Sequence, residues 1–143
     1  MANFHFREVI LVDDDLIVRM VATKILKSID FNGTISAFEN GALAIEEIRR
    51  RFSSEKIDSN GPPILLLLDI NMPVLDAWGF LDQFSTLDQE FKKNFYISII
   101  TSSIDTNDRI KAFSCSDVVD YISKPLSAKH LTDFLSKHSL IEV

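Results

Sequence analysis

Cysteine is almost absent: Cys115 stands alone among 143 residues. An intrachain disulfide framework is thereby excluded, Cys115 reads as an inert small residue, and a reducing cytoplasm is the expected compartment. Long apolar runs are missing as well. The most apolar stretch, Ile64 to Leu68, is closed by Asp69 and falls far short of the roughly 20 residues needed to cross a bilayer. No membrane contact is expected. Basic runs are equally scarce: none is longer than Arg49-Arg50-Arg51, and 15 Lys and Arg face 21 Asp and Glu for a formal net charge of -6. Direct binding to nucleic acid is therefore disfavoured, because little draws the chain to phosphates. The amino terminus, Met1 to Glu8, meets charge before an apolar stretch of signal-peptide length develops, so no export is expected. Internal repeats, low-complexity tracts and a second domain are lacking too. What is left, 46% apolar and 25% charged residues, fits one globular domain over 1–143. A chain this long buries roughly two-thirds of its unfolded surface and needs no disulfide or structural metal for a core.

Five short apolar runs carry the organisation: Val9–Val12, Thr34–Ala37, Ile64–Leu68, Tyr96–Ile100 and Val118–Ile122. Stretches of helical period separate them. Leu16, Val18, Val21, Ile25 and Ile29 fit one helix face; Leu43, Ile45, Ile48 and Phe52 a second; Trp78, Leu81, Phe84 and Leu87 a third. Ile110 with Phe113 marks a fourth, and Leu131, Phe134 and Leu135 a fifth. Near-continuous apolar strands alternating with amphipathic helices require crossover connections and a parallel sheet covered on both faces. The expected fold is an α/β, open, doubly wound, five-stranded parallel sheet with five helices. Asp105, with Asp108 three residues on, and Ser127 offer oxygens to free amides at helix starts. The polar stretch 53–63 reads as an exposed loop before the third strand.

The acids sit where such a sheet does its chemistry. Asp13 and Asp14 directly follow the first strand, and Asp69 directly follows the third. In an open parallel sheet, ligands bind beyond the carboxyl ends of the strands, where strand order reverses. With order 2-1-3-4-5 the first and third strands are neighbours, and the three carboxylates converge. Clustered negative charges raise one another's pKa unless a cation joins them, and hard oxygen ligands of this kind suit a hydrated Mg²⁺. Thr101 ends the fourth strand with a hydroxyl; Lys124 follows the fifth with a mobile cation. A carboxylate nucleophile, a divalent metal, a hydroxyl and an ammonium together make a site for accepting a phosphoryl group at Asp69.

The segments Ile10 to Asp15, Leu67 to Pro73, Ile100 to Ser103 and Tyr121 to Pro125, in this order over essentially the whole chain, resemble the receiver domains of two-component response regulators. Stretches 72–78 and 102–105 are similar to the stand-alone receivers of Bacteroidetes-type bacteria. The resemblance implies a flavodoxin-like fold and a role for each matching residue. Asp69 is then the phosphoacceptor; Asp14 and Asp69 are direct metal ligands, Asp13 helps through water, and the Asn71 backbone carbonyl adds a ligand. Thr101 and Lys124 contact the phosphoryl group, Thr101 and Tyr121 form a switch, and the Lys124-Pro125 bond is cis. The implied partners are a sensor histidine kinase or a histidine phosphotransfer protein, and a downstream protein target. Too little chain follows the fifth helix for an output domain, so the signal is expected to leave by docking through the fourth helix, fifth strand and fifth helix. Ala77 departs from the family, which usually has a glycine turn there; alanine needs a permitted backbone angle or costs roughly 1 kcal/mol.

Two other classes compete. A phosphatase of the haloacid-dehalogenase type also uses a strand-ending aspartate and Mg²⁺, but wants a second acid two residues on, where Asn71 cannot carry the proton. A receiver-like binding module indifferent to phosphorylation would not need the acid, threonine and lysine set. Taken singly, Asp13–Asp15 could be only a solvated helix start and Asp69 only a turn residue. Trp78 and the phenylalanines read as packing, Tyr121 has a core role as its rival reading, and His5, His130 and His138 show no metal-ligand spacing.

Overall fold

In the computed structural model, residues 3–54 and 61–142 are described. The chain runs β1 (Asn3–Phe4), β2 (Glu8–Val12), α1 (Leu16–Ser28), β3 (Thr34–Phe38), α2 (Gly41–Ser54), β4 (Ile64–Leu68), α3 (Ala77–Ser85), α4 (Gln89–Lys92), β5 (Phe95–Thr101), α5 (Thr106–Ser114), β6 (Val118–Ser123), α6 (Ala128–Lys137) and β7 (Ile141–Glu142). The five expected strands are β2 to β6. They form one sheet in the order β3-β2-β4-β5-β6, with each neighbouring pair parallel, which is the expected doubly wound order. Every residue of Ile64–Leu68 is buried, as a central strand covered on both faces demands.

The pleat sends alternate side chains to two cores. Ile10, Val12, Leu66, Leu68, Ile97 and Ile99 pack with α2 and α3. Val9, Leu11, Leu65, Leu67 and Ile100 pack with α1 and α6 on the other side.

Among the described residues there are six helices, one more than expected. The extra one, α4, is a single turn that buries Phe91 against Phe52 and Phe95. A small antiparallel sheet of β1 and β7 joins the two ends of the chain, with Phe4 and Ile141 packed on the second core. Neither feature is long enough to leave a period. Of the expected loop, Ser53 and Ser54 belong to α2, and residues 55–60 lie outside the described residues.

Several helix faces are rotated from the sequence reading. In α1 the buried residues are Ala22 and Leu26, with Val18, Ile25 and Ile29 half-buried, while Leu16 and Val21 are exposed. In α2, Ile45 and Ile48 are buried but Leu43 and Phe52 are exposed; in α5, Ile110 and Phe113 are exposed and Ala112 is buried. Short α/β helices present more apolar positions than one sheet face covers. Caps follow side-chain chemistry: Asp15, Asp76, Asp105 and Ser127 each accept an amide in the first turn of their helices.

Candidate functional site

Register builds the site. Val12 pairs with Leu68, so the chains leave β2 and β4 side by side. The ladder continues one step past the strands: the Asp69 amide donates to the Val12 carbonyl at 2.8 Å, and the Asp13 amide to the Phe38 carbonyl at 3.1 Å. One carboxylate oxygen from each of Asp13, Asp14 and Asp69 lies within 4.8 Å of the others. Asp13 and Asp69 are buried, while Asp14 is open to solvent. Asn71 is exposed at the start of the loop that leaves Asp69.

On the other side, the Lys124 amide donates to the Thr101 carbonyl at 2.8 Å, which holds the end of β6 against the end of β5. Its ammonium then reaches back to Asp13 at 2.6 Å and Asp69 at 3.3 Å. The Lys124-Pro125 peptide bond is cis. Thr101 is fully buried at the strand end.

Electrostatics follow from this packing. Burial, then the charge of Asp13, push the Asp69 carboxyl up to about 6, against the opposing pull of Lys124. Burial pulls Lys124 down, but hydrogen bonding and charge from Asp13, then Asp69, outweigh it and leave the ammonium above its ordinary range. Three carboxylates and one ammonium therefore share the site, with Asp14 on its solvent side. Both oxygens of Asp13 are engaged, one by the Asp15 amide at 2.9 Å and one by Lys124. Asp69 and Asp14 are the freer donors. A set of three carboxylates with one solvent-facing edge is the chemistry a partly hydrated Mg²⁺ requires, so these residues fit that ion.

Residues 9–136 match the family model described as response regulator receiver domain. This chain belongs to the response regulator receiver family. The receiver is 29% identical over 132 residues to the two-component response regulator ORR41 of Oryza sativa subsp. japonica, covering 92% of this chain and 94% of that protein. It is 27% identical over 134 residues to the sensor histidine kinase CheAY of Helicobacter pylori, covering 94% of this chain but only 15% of the kinase. The crystal structure of a two component response regulator from Cytophaga hutchinsonii superposes with a TM-score of 0.76 at 30% identity, covering 91% of this chain and 94% of that one. The flavodoxin-like fold is thereby established.

The structure brings Asp13, Asp14, Asp69 and Lys124 of the receiver directly together, with Thr101 on the adjoining strand end. Tyr121 stands apart, half-buried, its hydroxyl donating to the Ser103 carbonyl at 3.2 Å and its ring beside Phe113 and the Arg109 guanidinium. Sequence reading missed Arg19, which donates to the Asp13 carbonyl at 2.6 Å. A basic residue one turn into the helix after an acidic loop was its available signal. It also missed a polar set on the other face of β6: His138 joins Asp120 at 2.7 Å and Tyr96 at 2.9 Å, and Lys137 joins Asp120 at 3.1 Å. Burial pushes the Asp120 carboxyl up, but hydrogen bonds from His138, the Tyr121 amide and Lys137 hold it below the ordinary range. These partners lie far apart in sequence, and no local spacing announces them.

Ala77 also finds its reason. It is the first residue of α3, buried, with its amide on the Ile70 carbonyl. The left-handed position in this loop is three residues earlier, at Val74, with φ 68°. Gly41 is the residue that close approach requires, since a Cβ there would lie 2.6 Å from the Leu75 carbonyl oxygen.

Proposed function

We propose that this receiver accepts a phosphoryl group onto Asp69. The donor is a phosphohistidine on a sensor histidine kinase or a histidine phosphotransfer protein. The observation that carries the reading is the convergence of Asp13, Asp14 and Asp69 within 4.8 Å, with Lys124 spanning Asp13 and Asp69. A match to a sensor histidine kinase over most of this chain supports a histidine-borne donor.

In this reading an Asp69 oxygen attacks phosphorus as the phosphorus–nitrogen bond to imidazole breaks; the product is an acyl phosphate and the imidazole leaves with its electron pair. Asp14, Asp69 and the Asn71 carbonyl would hold Mg²⁺, with Asp13 assisting through water. Bound there, Mg²⁺ offsets charge on the transferring phosphoryl oxygens. Lys124 places a second positive charge on the same oxygens, and Thr101 donates its hydroxyl to one of them. The chain catalyses this transfer and a slow hydrolysis of its own acyl phosphate, and turns over no external substrate.

Signal leaves by docking to a protein target through α5, β6 and α6. Exposed Ile110 and Phe113 and the Arg109–Tyr121 contact support that face. The cytoplasm is the compartment where the kinase, the metal and a free Cys115 coexist.

Intact-mass measurement after incubation with acetyl phosphate tests the reading. One phosphoryl group should be gained with Mg²⁺, and none in Asp69→Asn, whose amide is neither anionic nor an equivalent ligand. Undiminished labelling of the variant, or labelling that needs no divalent ion, refutes it.

A further inference from the structure

Every polar group of Ser103 is engaged, and its partners belong to three different elements. Its amide donates to the Thr101 hydroxyl oxygen at 3.1 Å. Its own hydroxyl donates to Asp108 at 2.7 Å and accepts the Asp105 amide at 3.2 Å. Its carbonyl accepts the Tyr121 hydroxyl at 3.2 Å. One loop residue thus links the buried threonine of the acid pocket to the tyrosine on β6, and the first turn of α5 holds that residue in place.

We infer that Asp108 is a positioning residue: by fixing Ser103 it orients the Thr101 hydroxyl for a phosphoryl oxygen and clamps Tyr121 over α5. The inference rests on the phosphoacceptor reading above. The direction follows from hydrogen-bond chemistry. A hydroxyl has one hydrogen to give and lone pairs to accept with. Accepting from Ser103 fills an acceptor site of Thr101 and leaves its hydrogen for an oxygen in the pocket. Asp108 makes this arrangement firm, because a hydroxyl donating to a carboxylate forms a short, charge-assisted bond. Without Asp108, the Ser103 hydroxyl keeps only the Asp105 amide as a partner, and the loop loses its side-chain anchor on α5. Linkage is reciprocal: whatever the latch adds to phosphoryl binding, phosphoryl binding adds to the latch.

Asp108→Ala removes the acceptor, Asp108→Asn keeps a carbonyl oxygen that can accept from Ser103, and Ser103→Ala removes the donor. The chain has only two tyrosines, so the Tyr121 ring signals are readily assigned by NMR. In the free protein those signals should shift toward averaged values in Asp108→Ala and Ser103→Ala, and stay in place in Asp108→Asn. Titration with beryllofluoride and Mg²⁺ should show binding weakened roughly three- to tenfold in Asp108→Ala, the scale of one lost hydrogen bond, and restored in Asp108→Asn. Unchanged Tyr121 signals in both alanine variants, unchanged beryllofluoride affinity, or an asparagine variant as impaired as the alanine one overturns the assignment. Failure of the wild-type protein to bind beryllofluoride at all would instead strike the phosphoacceptor reading, while the free-state Tyr121 signals would still judge the latch.

Discussion

Asp69 is held in a state that costs the fold something. Its carboxyl stands at about 6 against an ordinary 3.8, because burial and Asp13 oppose its charge more than Lys124 favours it. A carboxyl with a folded pKa above its unfolded one binds protons more tightly when folded, so its contribution to stability falls as pH rises from about 4 to about 6 and stays low above. Asp69→Asn removes that liability. Without Mg²⁺ the variant should unfold like the wild type below about pH 4 and should be more stable by about 1–2 kcal/mol at pH 7, once solvent screening is allowed for. Denaturant titrations across pH check this; a variant less stable than wild type at pH 7 would mean that Lys124 wins the local balance. The site's chemistry was legible because its residue types are few and each ends or closely follows an apolar strand. Ser103 and Asp108 were legible only as a family position and a helix-start acid. Their bond depends on how the loop folds back, which spacing does not encode.

The turn that delivers α3 carries the clearest local strain. The Leu75 amide donates to the Pro73 carbonyl at 2.7 Å across Val74, whose φ of 68° is the left-handed region that a β-branched residue resists. Val74→Gly should relieve a penalty of roughly 1–2 kcal/mol while adding about 0.5–1 kcal/mol of unfolded-state entropy. The net expectation is a gain of about 0.5–1 kcal/mol in chemical denaturation, with no change in metal binding. A loss of stability would show that the Val74 side chain packs usefully in this loop. At this scale the strands were the readable elements, since Ile64–Leu68 is buried on both faces and cannot be mistaken for an amphipathic helix of three turns. The faces of α1 and α5 were not. Leu16, Val21, Ile110 and Phe113 are apolar yet exposed, and periodicity cannot distinguish a stripe that meets the sheet from one that waits for another surface. The single turn α4 and the paired ends β1 and β7 are stabilised by Phe91, Phe4 and Ile141 in contacts that only the assembled core provides.

Seen as a whole, the molecule places its acid cluster at one end of a sheet whose two faces carry separate cores, so a cation there bridges loops that leave β2 and β4 between both helical layers. Such a ligand stabilises the native state by mass action, since the unfolded chain disperses the three carboxylates. Mg²⁺ at about a hundredfold excess over its dissociation constant should add about 2.7 kcal/mol, which raises the midpoint of a domain this size by several degrees. Protons compete for the same oxygen. Because Asp69 titrates at about 6 without metal, the Mg²⁺-induced rise should be full near pH 8, slightly smaller at pH 6 and about halved at pH 5. Asp14→Ala should lose most of the rise at every pH while barely altering the metal-free midpoint, because its carboxylate is exposed and removing it leaves no buried group unpaired. Thermal denaturation with and without Mg²⁺ at these pH values measures both arms. A rise that persists unchanged at pH 5, or survives intact in Asp14→Ala, would place the ion away from the pocket that register, burial and Lys124 build together.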